Sequence, residues 1–221
     1  MGPLVRWKAL VTDSTDPAAA ARFWAPLLGR TAVHREDGGI RLDGTTAAQT
    51  VWVDPVPERR TGKDRVHLDL AGDVTALRRT VEAGGGRHVA ELAGWTVVAD
   101  PEGGEFCLFA APDVTAVVVD ARRPVDVARW WADVLGVSPR IGPEGLPRWV
   151  PVPGAPFDVL KFVAVPEPKT VKNRRHWDVT CDDVPALVER GATVLRVPDD
   201  EISWTVLADP EGNEFCAFPT A

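Results

Sequence analysis

The chain is poor in cysteine and has no long apolar run. Its three cysteines are an odd number and none sits in a CxxC or other close ligand pair. That argues against a disulfide framework and against a structural zinc site, and a reducing, cytoplasmic setting is expected. No stretch of about 18 uninterrupted apolar residues occurs. The opening segment MGPLVRWKALVTDS lacks the apolar core of an export signal, so neither secretion nor membrane spanning is expected. Lipidation is not indicated either, because Arg6 stands where an acylation signal wants Ser or Thr. Basic residues are outnumbered, 25 against 32 acidic ones, and the net charge of -7 argues against a nucleic-acid footprint. GxSxG, HExxH and GxGxxG are all missing. Tyrosine is absent too, whereas tryptophan occurs nine times.

What is present is a repeat. WTVVADPEGGEFCLF, Trp95 to Phe109, recurs as WTVLADPEGNEFCAF, Trp204 to Phe218, identical at 12 of 15 positions with an offset of 109. The same offset relates RVHLDL to RRHWDV through His67 and His176, while RFWAPLLG and RWWADVLG match at an offset of 107. A unit of this size is a whole domain and not a solenoid repeat, so two domains are expected, 1–111 and 112–221, joined near Ala111 to Asp113. The short connection predicts that they pack together.

Within the first repeat, VRWKALVTD reads as a strand, Asp16 as an N-cap with Pro17 in the first helical position, and Gly29 as the helix stop. Strand candidates follow at Thr31–Arg35, Ile40–Leu42 and Thr50–Asp54. The pattern then restarts: RVHLDLA alternates as a strand, Asp73 caps a helix running through Glu82, Gly84 to Gly86 stop it, and two strands flank the turn at Asp100 to Gly103. Each half is therefore two βαβββ modules and the chain is four, an α+β fold.

The ordered segments DPAAAARFWAPLLG, RVHLDL and GWTVVADPEGGEFCLF, present in duplicate, resemble the glyoxalase/bleomycin-resistance domains of the vicinal oxygen chelate superfamily. The resemblance covers nearly the whole chain and implies paired βαβββ modules forming a curved mixed sheet around a cleft. Members include metal-dependent lyases and isomerases, ring-cleaving dioxygenases and metal-free drug-binding proteins, so the fold alone selects no function. Metal-dependent relatives carry ligands on the first and fifth strands and a carboxylate on the eighth. The fifth-strand ligand matches His67 and His176. The first-strand positions fall on Ala9 and Ala116, which cannot bind metal, and the eighth-strand position falls on Cys107 and Cys216, with Glu105 and Glu214 two residues earlier on the same strand face. If a divalent metal is bound, its ligands are expected to be His67, Glu105 and Cys107, or His176, Glu214 and Cys216; a cleft without metal is favoured.

Other groups carry alternatives. His67/Asp69 and His176/Asp178 share a strand face, so the carboxylate either only orients the ring or tunes an acid/base histidine. Cys107 and Cys216 lie between apolar residues, as buried thiols do, but would contact a ligand if they line the cleft. Trp52, Trp149 and Trp177 are candidates for a flat wall against a ring-bearing ligand. Basic residues gather before the fifth strand of each half: Arg59, Arg60, Lys63 and Arg65, then Lys169, Lys172, Arg174 and Arg175. They are either solvated loops or a rim, led by Arg65 and Arg174, for a carboxylate or phosphate on the ligand. The expected function is metal-independent binding or sequestration of an aromatic or natural-product-like molecule. The alternative is a lyase, isomerase or cyclase using His67 or His176, with or without a divalent metal, and a third reading is a scaffold with filled clefts. The expected partner is a small molecule, with no nucleic acid and no membrane, in a monomer or homodimer.

Overall fold

The computed structural model describes residues 2–111 and 115–220. Of the expected junction, Pro112 and Asp113 lie outside the described residues. Four βαβββ modules follow one another. The first is β1 (Arg6–Ser14), α1 (Pro17–Leu28), β2 (Thr31–His34), β3 (Ile40–Asp43) and β4 (Val51–Pro55). The second is β5 (Val66–Gly72), α2 (Val74–Ala83), β6 (Arg87–Leu92), β7 (Trp95–Ala99) and β8 (Glu105–Ala110). The third is β9 (Ala116–Ala121), α3 (Pro124–Leu135), β10 (Arg140–Ile141), β11 (Pro147–Pro151) and β12 (Val159–Ala164). The fourth is β13 (Arg175–Thr180), α4 (Val184–Glu189), β14 (Thr193–Arg196), β15 (Thr205–Ala208) and β16 (Glu214–Phe218).

Local chemistry accounts for the helix limits. The Asp16 carboxylate accepts from the Ala19 N–H at 2.9 Å and Pro17 opens α1, while Asp73 accepts from Thr75 and Ala76 at the start of α2. Gly29 and Gly136 close α1 and α3 at φ of 61° and 65°, a left-handed conformation that a side chain would strain.

Each sheet is a pair of βαβββ modules, but the two modules come from different repeats. One curved sheet runs β14-β15-β16-β13-β1-β4-β3-β2, joining the first and fourth modules, and the other runs β10-β11-β12-β9-β5-β8-β7-β6, joining the second and third. At each centre two strands meet antiparallel, β1 with β13 and β5 with β9, flanked by the parallel pairs β1/β4, β13/β16, β5/β8 and β9/β12. The boundary between residues 111 and 112 therefore divides the sequence repeats, while both sheets take strands from either side of it.

Packing runs the other way. Phe23 and Trp24 on α1 meet Phe106 on β8, and Trp131 on α3 meets Trp177 and Phe215 on β13 and β16, each contact joining modules of one repeat. Strand pairing between repeats and ring packing within them merge into one hydrophobic core that draws on both sheets.

Charged groups bolt the seam. Arg175, 2% exposed, faces Asp100 at 3.2 Å and Asp64 at 3.6 Å, with its guanidinium 4.9 Å from the Trp24 ring. The equivalent of Arg175 in the first repeat is Val66, and its partners Asp64 and Asp100 correspond to Asn173 and Asp209; Asn173 donates to Asn213, Asn213 to Asp209, and Trp131 to Asp209 at 3.0 Å. One side of the seam is an arginine–carboxylate cluster and the other a network of amides around the Asp209 carboxylate. Removing the guanidinium leaves buried Asp100 without its ion-pair partner and takes one of two arginines from Asp64, so Arg175→Val should cost roughly 3–5 kcal/mol in urea unfolding. Adding Asp64→Asn, which copies the other side of the seam, should recover a large part of that loss; an additive double variant would contradict the coupling.

Candidate functional site

Both concave faces are built by the same rule, alternation along strands and register across them. In the second sheet, His67 and Asp69 on β5 share a face. Asp69 lies directly between Ala116 on β9 and Cys107 on β8, and His67 lies across from Val118. The row continues through Lys161 on β12 to Trp149 on β11. The first sheet repeats the arrangement: Asp178 on β13 lies between Ala9 on β1 and Cys216 on β16, and the row from His176 runs through Val11 and Trp52 to Arg41. Ala9 and Ala116, which the resemblance put at the first-strand ligand positions, thus face the aspartates.

His67, Asp69 and Cys107 present donor atoms all within 4.8 Å of one another, and so do His176, Asp178 and Cys216. The carboxylate completing each group is therefore an aspartate. Glu105 and Glu214 stand outside these groups, and Glu214 is engaged by Lys169 at 2.6 Å and by the Asn173 N–H at 3.2 Å.

A lysine reaches the aspartate in both clefts. Lys161 Nζ is 2.7 Å from Asp69 Oδ2, and Lys8 Nζ is 3.7 Å from Asp178 Oδ2. The two lysines do not occupy equivalent positions. Lys161 stands on β12 where β4 has Trp52, whereas Lys8 occupies a β-bulge between Trp7 and Ala9 on β1, where the second repeat has Thr115. The bulge breaks the alternation and delivers Lys8 beside Ala9, with its ammonium 4.1 Å from the Phe218 ring.

Aromatic rings border these polar centres. Trp149 and Phe109 lie 6.0 and 5.1 Å from Lys161 Nζ, and Trp95 stacks on Phe109. In the other cleft Trp204 stacks on Phe218, and the Arg35 guanidinium covers Trp52 at 4.7 Å. A pocket of about 460 Å³ opens there, lined by Lys8, Ala9, Arg41, Thr50 and Trp52 among others.

Burial sets the protonation states. It pushes His67 down to about 3, helped by the charges of Lys63, Arg175 and Lys161, and pulls His176 down to about 4, so both rings are neutral at pH 7. Burial, then the nearby Asp69 charge, pushes the Cys107 thiol up to about 12, and Cys216 is raised for the same reasons with Asp178 as its neighbour. Asp178 rises to about 7, chiefly through burial, with Asp54 adding to the shift and Lys8 opposing it.

Not every residue singled out in the sequence faces a cleft. Trp177 is enclosed in the core, its ring 5.0 Å from that of Trp131, so the expectation that it walls the ligand is corrected. The alternation that puts His176 and Asp178 in the cleft puts Trp177 on the opposite face. Arg65 and Arg174 lie at the seam, where each donates to a backbone carbonyl of the other repeat, Glu167 and Glu58. Lys8, Lys161, Arg35, Arg41, Phe109 and Phe218 were missed; the +2 spacing from Cys107 to Phe109 and from Cys216 to Phe218 was the available signal for the two phenylalanines.

The raised pKa of Asp178 has a thermodynamic sign. Its folded value lies above the unfolded one, so its contribution is present below about pH 4 and is lost as pH rises through about 7. Asp178→Asn removes this dependence and should stabilise the chain by about 1–3 kcal/mol at pH 8, with the difference vanishing near pH 4. The depressed histidines oppose this, since their contribution is present above about pH 6.5 and is lost as pH falls. Urea unfolding of both proteins across this range checks it, and a variant less stable than the parent at pH 8 would contradict it.

Among the described residues no helix is long and apolar enough to cross a membrane. No curated protein matches the chain in sequence. Its fold is that of glyoxalase I from Zea mays, at 14% identity and a TM-score of 0.66, covering 97% of this chain and 92% of that one. A putative dioxygenase from Bacillus subtilis aligns with a TM-score of 0.67 at 13% identity, over 100% of this chain and 87% of the other. The cppA protein from Streptococcus pneumoniae aligns at 0.56 and 12% identity, over 98% and 100%. The glyoxalase-like domain family model matches residues 9–109 and again 116–218. With both halves matched and the paired βαβββ sheets in place, the chain belongs to the glyoxalase-like domain family of the vicinal oxygen chelate superfamily, in a tandem form.

Proposed function

We propose that this protein binds a small aromatic or natural-product-like molecule in its two clefts, without a metal. The observation that carries the reading is the lysine in each cleft, whose ammonium already faces the buried aspartate. A divalent ion among His67, Asp69 and Cys107 would sit close to that retained charge. Two charges against one at about 4 Å and an effective dielectric of about 20 repel by on the order of 8 kcal/mol. Ionising a thiol raised from 9.0 to about 12 adds roughly 4 kcal/mol beyond the cost for an ordinary cysteine. Together these approach the roughly 10–16 kcal/mol gained by a complete structural zinc site, and alanine at positions 9 and 116 leaves only three donors. The donor set therefore fits a divalent ion poorly.

What supports a ring-bearing ligand is a tryptophan beside a cation in each cleft: Trp149 with Lys161, and Trp52 with Arg35 and Arg41. Such walls give apolar contact area, while the cations orient a polar substituent. The pocket beside Trp52 has the size of a small-molecule site.

A second reading, acid/base chemistry at His67 or His176, has in its favour that both imidazoles are neutral and that Nδ1 of His176 is buried without a hydrogen-bond partner. Magnitude counts against it, since a base with a pKa of about 3 or 4 is far from the value that serves proton transfer at neutral pH.

Mass-spectrometric elemental analysis after incubation with zinc, manganese, iron and nickel should find less than about 0.1 metal per chain following desalting. Near-stoichiometric metal that disappears in His67→Ala or His176→Ala would overturn the metal-free reading. Anilinonaphthalene sulfonate, an aromatic probe, should quench tryptophan emission saturably and bind about tenfold more weakly in Trp149→Ala or Trp52→Ala. Unaltered affinity in both variants would remove the clefts as its site.

A further inference from the structure

We propose that the seam between the two repeats is a second binding site, for a compact polyanion of the phosphoryl or polycarboxylate class. The two basic loops, separate in sequence by more than a hundred residues, are brought together by the crossed pairing of the modules. A pocket of about 260 Å³ lies between them, lined by Arg59, Arg60, Lys63 and Arg65 of one repeat and Lys172 and Arg174 of the other. The loops clasp each other reciprocally. Arg65 Nη1 donates to the Glu167 carbonyl and Arg174 Nη1 to the Glu58 carbonyl, both at 2.8 Å, and these contacts are related by the repeat offset of 109.

Six cations meet only three lining carboxylates, Asp13, Glu58 and Asp64, in a chain whose net charge is -7. The pairing within the pocket leaves charge over. Lys172 is paired with Asp13 and Arg60 with Asp64, and Lys63 reaches Asp120 at 3.4 Å. The carbonyls that hold Arg65 and Arg174 orient the guanidiniums without neutralising them. Arg174 has a carboxylate, Glu102, only at 3.6 Å. Arg65 Nε and Arg174 Nη2 are buried without a hydrogen-bond partner, and Arg59 has no ion pair or hydrogen bond among the described residues.

Arg59, exposed at the pocket and without a carboxylate of its own, is free to meet an acceptor-rich anion. Lys63 and Lys172 have side chains 68% and 61% exposed, so their ammoniums can reach a guest while staying near the buried carboxylates of Asp120 and Asp13. The pocket is too small for a drug-sized ligand and suits a compact one. Neither repeat has this site alone, because each supplies only one loop. Its lining is distinct from that of the clefts and includes none of Lys8, Trp52, Trp149 or Lys161.

Isothermal titration calorimetry of the full chain with pyrophosphate and, separately, with citrate at constant ionic strength tests the assignment. Saturable binding of at least one anion is expected, weakened about tenfold or more by Arg59→Glu and retained in Arg59→Lys. Arg59 is exposed and partnerless, so its replacement leaves the fold intact. The tighter of the two anions identifies the class as phosphoryl or polycarboxylate. Trp149→Ala, a cleft change, should bind both as the parent does, which separates this site from the cleft reading. The proposal fails if neither anion binds saturably, or if Arg59→Glu binds like the parent.

Discussion

Everything else in this molecule depends on two antiparallel strand contacts, β1 with β13 and β5 with β9, each joining one repeat to the other. They decide which side chains share a cleft. Because β5 lies against β9, His67 and Asp69 of the first repeat meet Lys161 and Trp149 of the second, and because β1 lies against β13, Lys8 and Trp52 meet His176 and Asp178. Ladder pairing ties the repeats while ring packing ties the modules within each repeat, so the two halves cannot separate without opening both sheets and the common core. That mutual dependence explains why a buried arginine such as Arg175 persists at the seam, where removing it alone costs more than never having had the ion cluster.

The order of elements was legible in the sequence because it rests on local chemistry. Asp16 and Asp73 cap, Gly29 and Gly136 stop, and period-two alternation marks β5 and β13, all within windows of a dozen residues. Duplication doubled each signal. His67 and His176, Cys107 and Cys216 emerged for the same reason. Which module pairs with which was not legible, since an alternating strand specifies a buried face and not the partner at its edge. The cleft lysines stayed hidden behind this. Lys161 comes from the other repeat, and Lys8 enters through a bulge, an inserted residue that breaks the alternation on which face assignments rest. Trp177 is different, since the rule that assigned its two neighbours to the cleft already excluded it.

The two clefts are copies that have exchanged parts. Across the row from the histidine, one reads Trp52 then Arg41, and the other Lys161 then Trp149. A ring and a cation persist in each, in opposite order, so a flat ligand with one anionic substituent would lie in reversed orientations in the two. The second cleft then obtains its aspartate partner from Lys161 directly, whereas the first, with Trp52 in that place, needs the bulged Lys8.

The exchange has an electrostatic logic. A buried aspartate on a sheet floor is tolerable only with a cation beside it, and the short contact in one cleft and the longer one in the other show two degrees of compensation. At 3.7 Å, Lys8 leaves Asp178 with a pKa of about 7, so this carboxyl is poised between its forms at the pH where a ligand would meet it. A ligand bringing a hydrogen-bond acceptor to that floor favours the protonated acid, and one bringing a second cation favours the carboxylate. Under the proposed reading this site would take either kind of polar substituent, whereas the cleft with the 2.7 Å pair is held as an ion pair, so the two copies would differ in selectivity.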